Sequence, residues 1–386
     1  MKRIKSMGAH KFSIPEIIFG RGSLDYVGTC ARQLGARKVF LVSDQGLEKA
    51  GWVARIIDTL EKGRLRWFYF SNVACNPRDF QTEQGAERYL AEDADVIIAL
   101  GGGSPMDAAK GIALVASNGG KIKEYEGANR INKPLPPMLF IPSTAGSGSD
   151  ISQFAIITDV ERRVKMSIIS RTLVPNITII DPLILETKSQ ELIVAAAIDA
   201  LAHAIESYIS RIASPFTELQ SLRAIELILA HLPRAFRTRS LESLEQLSIA
   251  STGAGMAFSN AGLGAEHALA HSLGGIFDTL HGLVHPILLP PVMQFNLPAC
   301  LDKMAVIGAM VLGRRLESPE KTALGGIERL REFCEELGAP LHLRHIVRDK
   351  FQIPDLCKMA AGDVCLLTNP REAAWNDLVR ICEEAW

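Results

Sequence analysis

The first half of the chain reads as short apolar runs separated by stretches with helical periodicity. Residues 38–43 (KVFLVS), 65–71 (containing RWFYF), 95–100 (DVIIAL) and 138–143 (MLFIPS) are apolar enough along their length to be strands buried on both faces. Between them, 46–62, 79–92 and 104–117 repeat apolar positions at the spacing that lays one stripe along a helix. That alternation predicts a parallel sheet covered by helices on both sides. After a last strand-like run at 176–180 (NITII) the pattern changes. From about residue 189 it is helical throughout, over 189–210, 216–236, 242–260 and 263–276, with more beyond 300. The expectation is a Rossmann-like α/β domain over residues 1–185 and an all-helical domain over 186–386, with chemistry in the cleft between them.

Composition narrows the class. At 386 residues, 47% hydrophobic and 22% charged, the chain is long enough for two cores and ordinary for a globular protein. A net charge of −1 gives no electrostatic case for nucleic acid or an acidic membrane surface. No apolar stretch follows the basic start MKRIK, so a conventional signal peptide is not expected, and no uninterrupted apolar run reaches spanning length. The 7 cysteines form no CxxC and read as free thiols of a reducing cytoplasm.

Two glycine-rich turns carry the first chemistry. The strand at 95–100 runs into GGGSPMDAAKG, where Gly101, Gly102 and Gly103 allow a sharp turn and close approach of a ligand. Ser104 and Pro105 then open a helix whose amides and dipole favour a phosphate. The motif is neither GxGxxG, since Met106 stands at the third glycine, nor a P-loop, and a purely structural turn is the competing account. A second turn, IPSTAGSGSD at 141–150, follows the next strand, and two such turns at adjacent strand ends suit one dinucleotide. Asp44, ending the first strand, could accept hydrogen bonds from ribose hydroxyls and would repel a 2′-phosphate, favouring NAD over NADP; it could equally be a helix N-cap.

The histidines carry the second. Four of the 9 lie between His267 and His285, at 267, 271, 281 and 285, and upstream Asp199 and His203 stand four apart on a predicted helix. One carboxylate and several imidazoles on inward helix faces suit a divalent metal, and a thiolate-free set is unlike a structural zinc site. Spacing alone pairs His267 with His271. Taken in isolation, an ordinary helix-surface hydrogen bond between Asp199 and His203 accounts for that pair equally well. His10, His231, His342 and His345 read as structural.

Taken together, VSDQGL at 42–47, NPR at 76–78, GGGSPMDAAK at 101–110, PSTAGSGSD at 142–150, the Asp199/His203 pair, the run from 254 to 275, HG at 281–282 and LLTNPRE at 366–372 resemble the iron-containing (group III) alcohol dehydrogenases, which include lactaldehyde reductases and 1,3-propanediol dehydrogenases. The resemblance implies a metal-dependent, NAD(H)-linked enzyme acting on a small primary alcohol, diol or aldehyde, working as a homodimer or larger assembly. It implies Fe²⁺, with Zn²⁺ as the alternative, held by Asp199, His203, His267 and His281. His271 then lies beside the metal as a proton relay. Asp44, Asn76, Gly102, Gly103, Ser104, Asp107, Ser143, Thr144 and Lys165 would contact the cofactor, and Phe258 the substrate. Without the resemblance, Lys165 would read as a solvated charge and Phe258 as core. Two positions depart from the family pattern. His285 replaces the asparagine of HGxxN, for which a buried ring hydrogen-bonded to backbone is the simpler account. Asp150 stands where many members have glutamate.

The same sequence features admit two rival readings. A dehydroquinate synthase-like lyase shares the fold but needs several lysines and arginines for an acidic substrate, and none lies between Met256 and Asn296. A non-enzymatic relict is disfavoured by the intact turns and ligand positions.

Overall fold

The computed structural model describes residues 11–386, which leaves His10 outside the described part. Among the described residues nine strands form two sheets: β1 (Glu16–Phe19), β2 (Lys38–Val42), β3 (Arg66–Phe70), β4 (Val96–Gly101), β5 (Gly127–Ala128), β6 (Met138–Pro142), β7 (Phe154–Asp159), β8 (Val164–Ile169) and β9 (Ile177–Ile180). The main sheet is parallel throughout, in the order β1-β9-β6-β4-β2-β3. Every residue of β4 is buried, because helices cover both faces of the sheet. A small second sheet, β5-β8-β7, pairs β7 and β8 as an antiparallel hairpin.

The chain places β3 on one side of β2 and then returns to lay β4 on the other. That reversal makes a switch point at the carboxyl ends of β2 and β4, where a doubly wound sheet opens a crevice. The turn after β6 lies alongside, since β6 is hydrogen-bonded to β4.

Beyond Ile180 the described chain is helical. The helix Gln190–Ile209 starts at Ser189, whose hydroxyl accepts from the Leu192 amide at 3.2 Å, and it is apolar almost all round. By length and hydropathy it could cross a bilayer, yet 89% of its apolar window is buried inside the molecule. It packs with the helices Pro215–Thr238 and Leu241–Ala261 in the largest core cluster. The helix Ala265–Phe277 and the segments after it form a second cluster with the chain's last helix, Trp375–Glu384.

One helix expected at 46–62 is two, Gln45–Lys49 and Trp52–Lys62. Gly51 adopts φ 84° between them, a left-handed conformation that ends the first helix.

Candidate active site

All the residues that the sequence put forward for cofactor, metal, proton transfer and substrate line one cleft of about 670 Å³ between the main sheet and the helices. His285 does not line it; it is completely buried behind the inner wall.

At the outer end, Gly102 is the N-cap of the helix Gly103–Asn118. A Cβ at Gly103 would crowd Ser147 at 3.1 Å and one at Gly102 would touch Thr144, so the two turns lie against each other. The Ser104 hydroxyl donates to the Cys75 carbonyl, and the buried Asp107 carboxylate accepts from the Ser149 hydroxyl. The Ser143 amide donates to the Gly101 carbonyl at 2.7 Å. Asp44 is an N-cap in fact, its Oδ1 accepting from the Leu47 amide at 3.0 Å, and it also faces the cleft. Loss of water pushes the Lys165 ammonium down to about 8. The Asn76 amide donates to Asp278 Oδ1 at 2.6 Å, and Arg78 pairs with the same carboxylate at 2.7 Å. These bonds tie the sheet side of the cleft to the end of the helix Ala265–Phe277, where Asp278 sits at φ 52°.

At the inner end, imidazoles gather around Asp199. Nitrogen or oxygen atoms of Asp199, His267, His281 and His285 all lie within 4.8 Å of one another. His203 stands beside this group: its Nδ1 is 3.5 Å from Asp199 Oδ1, and its ring stacks on Phe258 and on His267, with centroids 4.3 and 4.4 Å away. Asp199 Oδ1, His203 Nδ1, His267 Nε2, His281 Nδ1 and His285 Nε2 are buried and have no hydrogen-bond partner among the described residues. Buried polar atoms are ordinarily paired, and imidazole nitrogens gathered around a carboxylate oxygen, all left without partners, are what a cation satisfies.

The shell behind these rings contains residues that the sequence reading missed. His267 Nδ1 lies 2.7 Å from Glu206, and Glu206 also accepts from the amides of Gly264 and Glu266 at 3.0 and 2.8 Å. His271 Nδ1 lies 2.8 Å from Asp363. His285 Nδ1 lies 2.8 Å from Glu266, so a carboxylate, and not the backbone, holds that ring. Glu206 was legible: with Asp199 and His203 it makes positions i, i+4 and i+7 of one helix face. Asp363, far off in sequence, carried no comparable signal.

The charges follow from this packing. Burial opposes the charge on Asp199, but His203 and His285 hold its carboxyl well below the usual range. Burial pushes His203 down to about 3, and it lowers His281 strongly with help from Lys165. Burial also works against protonating His285, yet Glu266 and Asp199 outweigh it and raise that ring to about 9. His267 shifts upward for the same reason, with Glu266 the largest opposing influence. Three buried carboxylates, Asp199, Glu206 and Glu266, therefore create a demand for positive charge at one spot.

Fold and site together define a two-part protein with a nucleotide-type crevice opening onto an Asp/His centre. Known proteins specify it further. Residues 15–182 match the iron-containing alcohol dehydrogenases, and residues 193–386 match the C-terminal part of the Fe-containing alcohol dehydrogenase family. The NAD-dependent methanol dehydrogenase of Bacillus methanolicus is 35% identical over 377 residues, 97% of this chain and 99% of that protein. Lactaldehyde reductase of Escherichia coli K12 is 35% identical over 372 residues, 95% and 97% of the two chains. The crystal structure of a 1,3-propanediol oxidoreductase superposes with a TM-score of 0.95 at 34% identity, covering 98% of this chain and 100% of that one. The chain belongs to the iron-containing alcohol dehydrogenase family.

Proposed function

We propose that the protein is a metal-dependent, NAD(H)-linked alcohol dehydrogenase and aldehyde reductase for a small primary alcohol, diol or aldehyde. The observation that carries this reading is the set of unpartnered atoms on Asp199, His203, His267 and His281 at the inner end of a cleft whose outer end is two glycine turns. Those four residues would hold Fe²⁺ or Zn²⁺. When bound, the divalent ion supplies Lewis acidity toward an alcohol or carbonyl oxygen, and the nicotinamide supplies the hydride chemistry.

The chain's own residues do the rest. Amides of the Gly102–Ser104 turn, at a helix N-terminus, attract a pyrophosphate, and Asp44 offers a free carboxylate oxygen to ribose hydroxyls. Glu206 fixes the His267 ring with Nε2 facing Asp199. His271, held by Asp363 and lining the cleft, is placed to take the hydroxyl proton toward solvent. Phe258 and Phe154, with ring centroids 5.7 Å apart, form an apolar wall that favours a short, compact substrate.

Exposed Ile212, Phe216 and Leu219 support association of copies of the chain, and the composition supports a cytoplasmic setting without nucleic-acid or membrane partners. The test is a panel of short alcohols and aldehydes assayed with NAD(H) and NADP(H) after reconstitution with Fe²⁺ or Zn²⁺. Metal-dependent absorbance change at 340 nm, stronger with NAD(H), is the expected result. No turnover with either metal across the panel would reject the reading.

A further inference from the structure

His285 belongs to none of the roles assigned above, and its surroundings are unusual for a core residue. It is fully buried and so is Glu266, which faces its Nδ1 at 2.8 Å. On the opposite edge of the ring, Nε2 lies 3.1 Å from Asp199 Oδ1, and neither atom has an aligned hydrogen-bond partner among the described residues. The ring centroid is 5.0 Å from that of His267 and 4.6 Å from that of His281.

The arrangement repeats that of His267. There, Nδ1 meets the buried carboxylate of Glu206 at 2.7 Å, with the second oxygen of Glu266 3.1 Å away, and an unpartnered Nε2 faces Asp199 Oδ1 at 3.7 Å. A carboxylate behind an imidazole fixes its orientation and tautomer and makes its other nitrogen a better donor to a cation. Two rings oriented in this way aim at the same oxygen. Glu266 is completely buried, and its carboxylate oxygens lie against the Nδ1 edges of His285 and His267, at 2.8 and 3.1 Å, so it backs the metal-facing rings and contacts no solvent.

We propose that His285 is a further protein ligand to the metal, through Nε2, and that Glu266 is the residue that positions it. The centre then has one more imidazole than the set of Asp199, His203, His267 and His281. The inference rests on the reading that a divalent ion binds at Asp199. Its chemical consequence is tighter retention of the ion and a preference for nitrogen-loving ions such as Zn²⁺ and Co²⁺ over Mg²⁺ or Mn²⁺.

The experiment is binding and spectroscopy, independent of turnover. Metal-free wild type, His285→Asn and Glu266→Gln are titrated with Zn²⁺ by competition with a chromophoric chelator, and the zinc-loaded proteins are compared by X-ray absorption at the zinc edge. We expect wild type to bind one ion per chain at the site. The H285N protein should bind at least about tenfold more weakly, with one imidazole fewer around zinc, and E266Q should lose about tenfold with its imidazole count kept. Equal affinity and equal imidazole count in wild type and H285N would overturn the proposal, leaving His285 as a charged neighbour of Asp199. Failure of wild type to bind Zn²⁺ at this site would overturn it too, and the metal reading with it. Should H285N not fold, the zinc-edge spectrum of wild type decides: four imidazoles around zinc (His203, His267, His281 and His285) support the proposal, and three or fewer overturn it.

Discussion

Single side chains decide whether this cleft does chemistry. Alanine at His267 or His281 removes one of the nitrogens gathered at Asp199 but leaves the glycine turns untouched. Turnover is therefore expected to fall by at least about a thousandfold, a loss of about 4 kcal/mol in transition-state stabilisation, while NADH binding measured by fluorescence survives. Normal turnover in either variant would remove that histidine from the centre. Asp150 gives a prediction of a different kind. It is buried, and burial raises its carboxyl to about 6. Because the folded value lies above the unfolded value of about 3.9, its contribution to stability is full below pH 4 and is lost as pH rises through 6. Asp150→Asn cannot ionise, so its melting temperature relative to wild type should climb between pH 4 and pH 7.5. A carboxyl held up at about 6 in the folded protein corresponds to as much as about 3 kcal/mol. A pH-independent difference would mean that the carboxyl is not held up by burial. At this scale the sequence exposed the residues that face the cleft better than those behind it. Asp199, His203, His267 and His281 share helical spacing or a glycine-flanked run. The partners Glu266 and Asp363 are ordinary acidic residues until folding puts them beside a ring.

At the scale of elements, close backbone approach sets the geometry of the centre. Gly282 follows His281 in a short turn, and a Cβ there would lie 2.6 Å from the Ala195 carbonyl of the Asp199 helix. Only glycine lets the His281 turn sit so near. Gly282→Ala should push that turn outward, weakening metal binding and lowering the melting point by the equivalent of about 1–3 kcal/mol, with the circular dichroism spectrum kept. Unchanged metal affinity would show that the turn has slack. The buried parallel strands β2, β4 and β6 were legible because continuous apolar runs of that length have few other uses. The edge strand β1 and the β7–β8 hairpin were not. β1 is four residues long and half exposed, the apolar run Phe154–Ile157 of β7 is equally short, and Lys165 and Ser167 interrupt β8, so none gives a run long enough for periodicity to assign. The split at Gly51 escaped for another reason: apolar spacing continues across it, and only the left-handed glycine breaks the helix.

For the molecule as a whole, the carboxylates crowded behind the imidazoles make the bound ion a structural partner as well as a chemical one. Removing it with a chelator should lower the melting temperature, and restoring it at a thousandfold excess over the dissociation constant should return about 4 kcal/mol. Equal melting points with and without metal would contradict tight binding to the folded state. The bridge from Asn76 and Arg78 to Asp278 adds a mechanical aspect. Asp278 terminates the same rigid helix that presents His267 and His271, so the two ends of the cleft share one lever. A dinucleotide that draws the Asn76 amide to itself takes one of two donors from that lever's tip. Adding NAD should then change amide hydrogen exchange at 275–280, well away from any phosphate, and no change there would mean that the tip stays clamped. If the lever moves, the protein senses an arriving nucleotide at the histidines before any alcohol has entered.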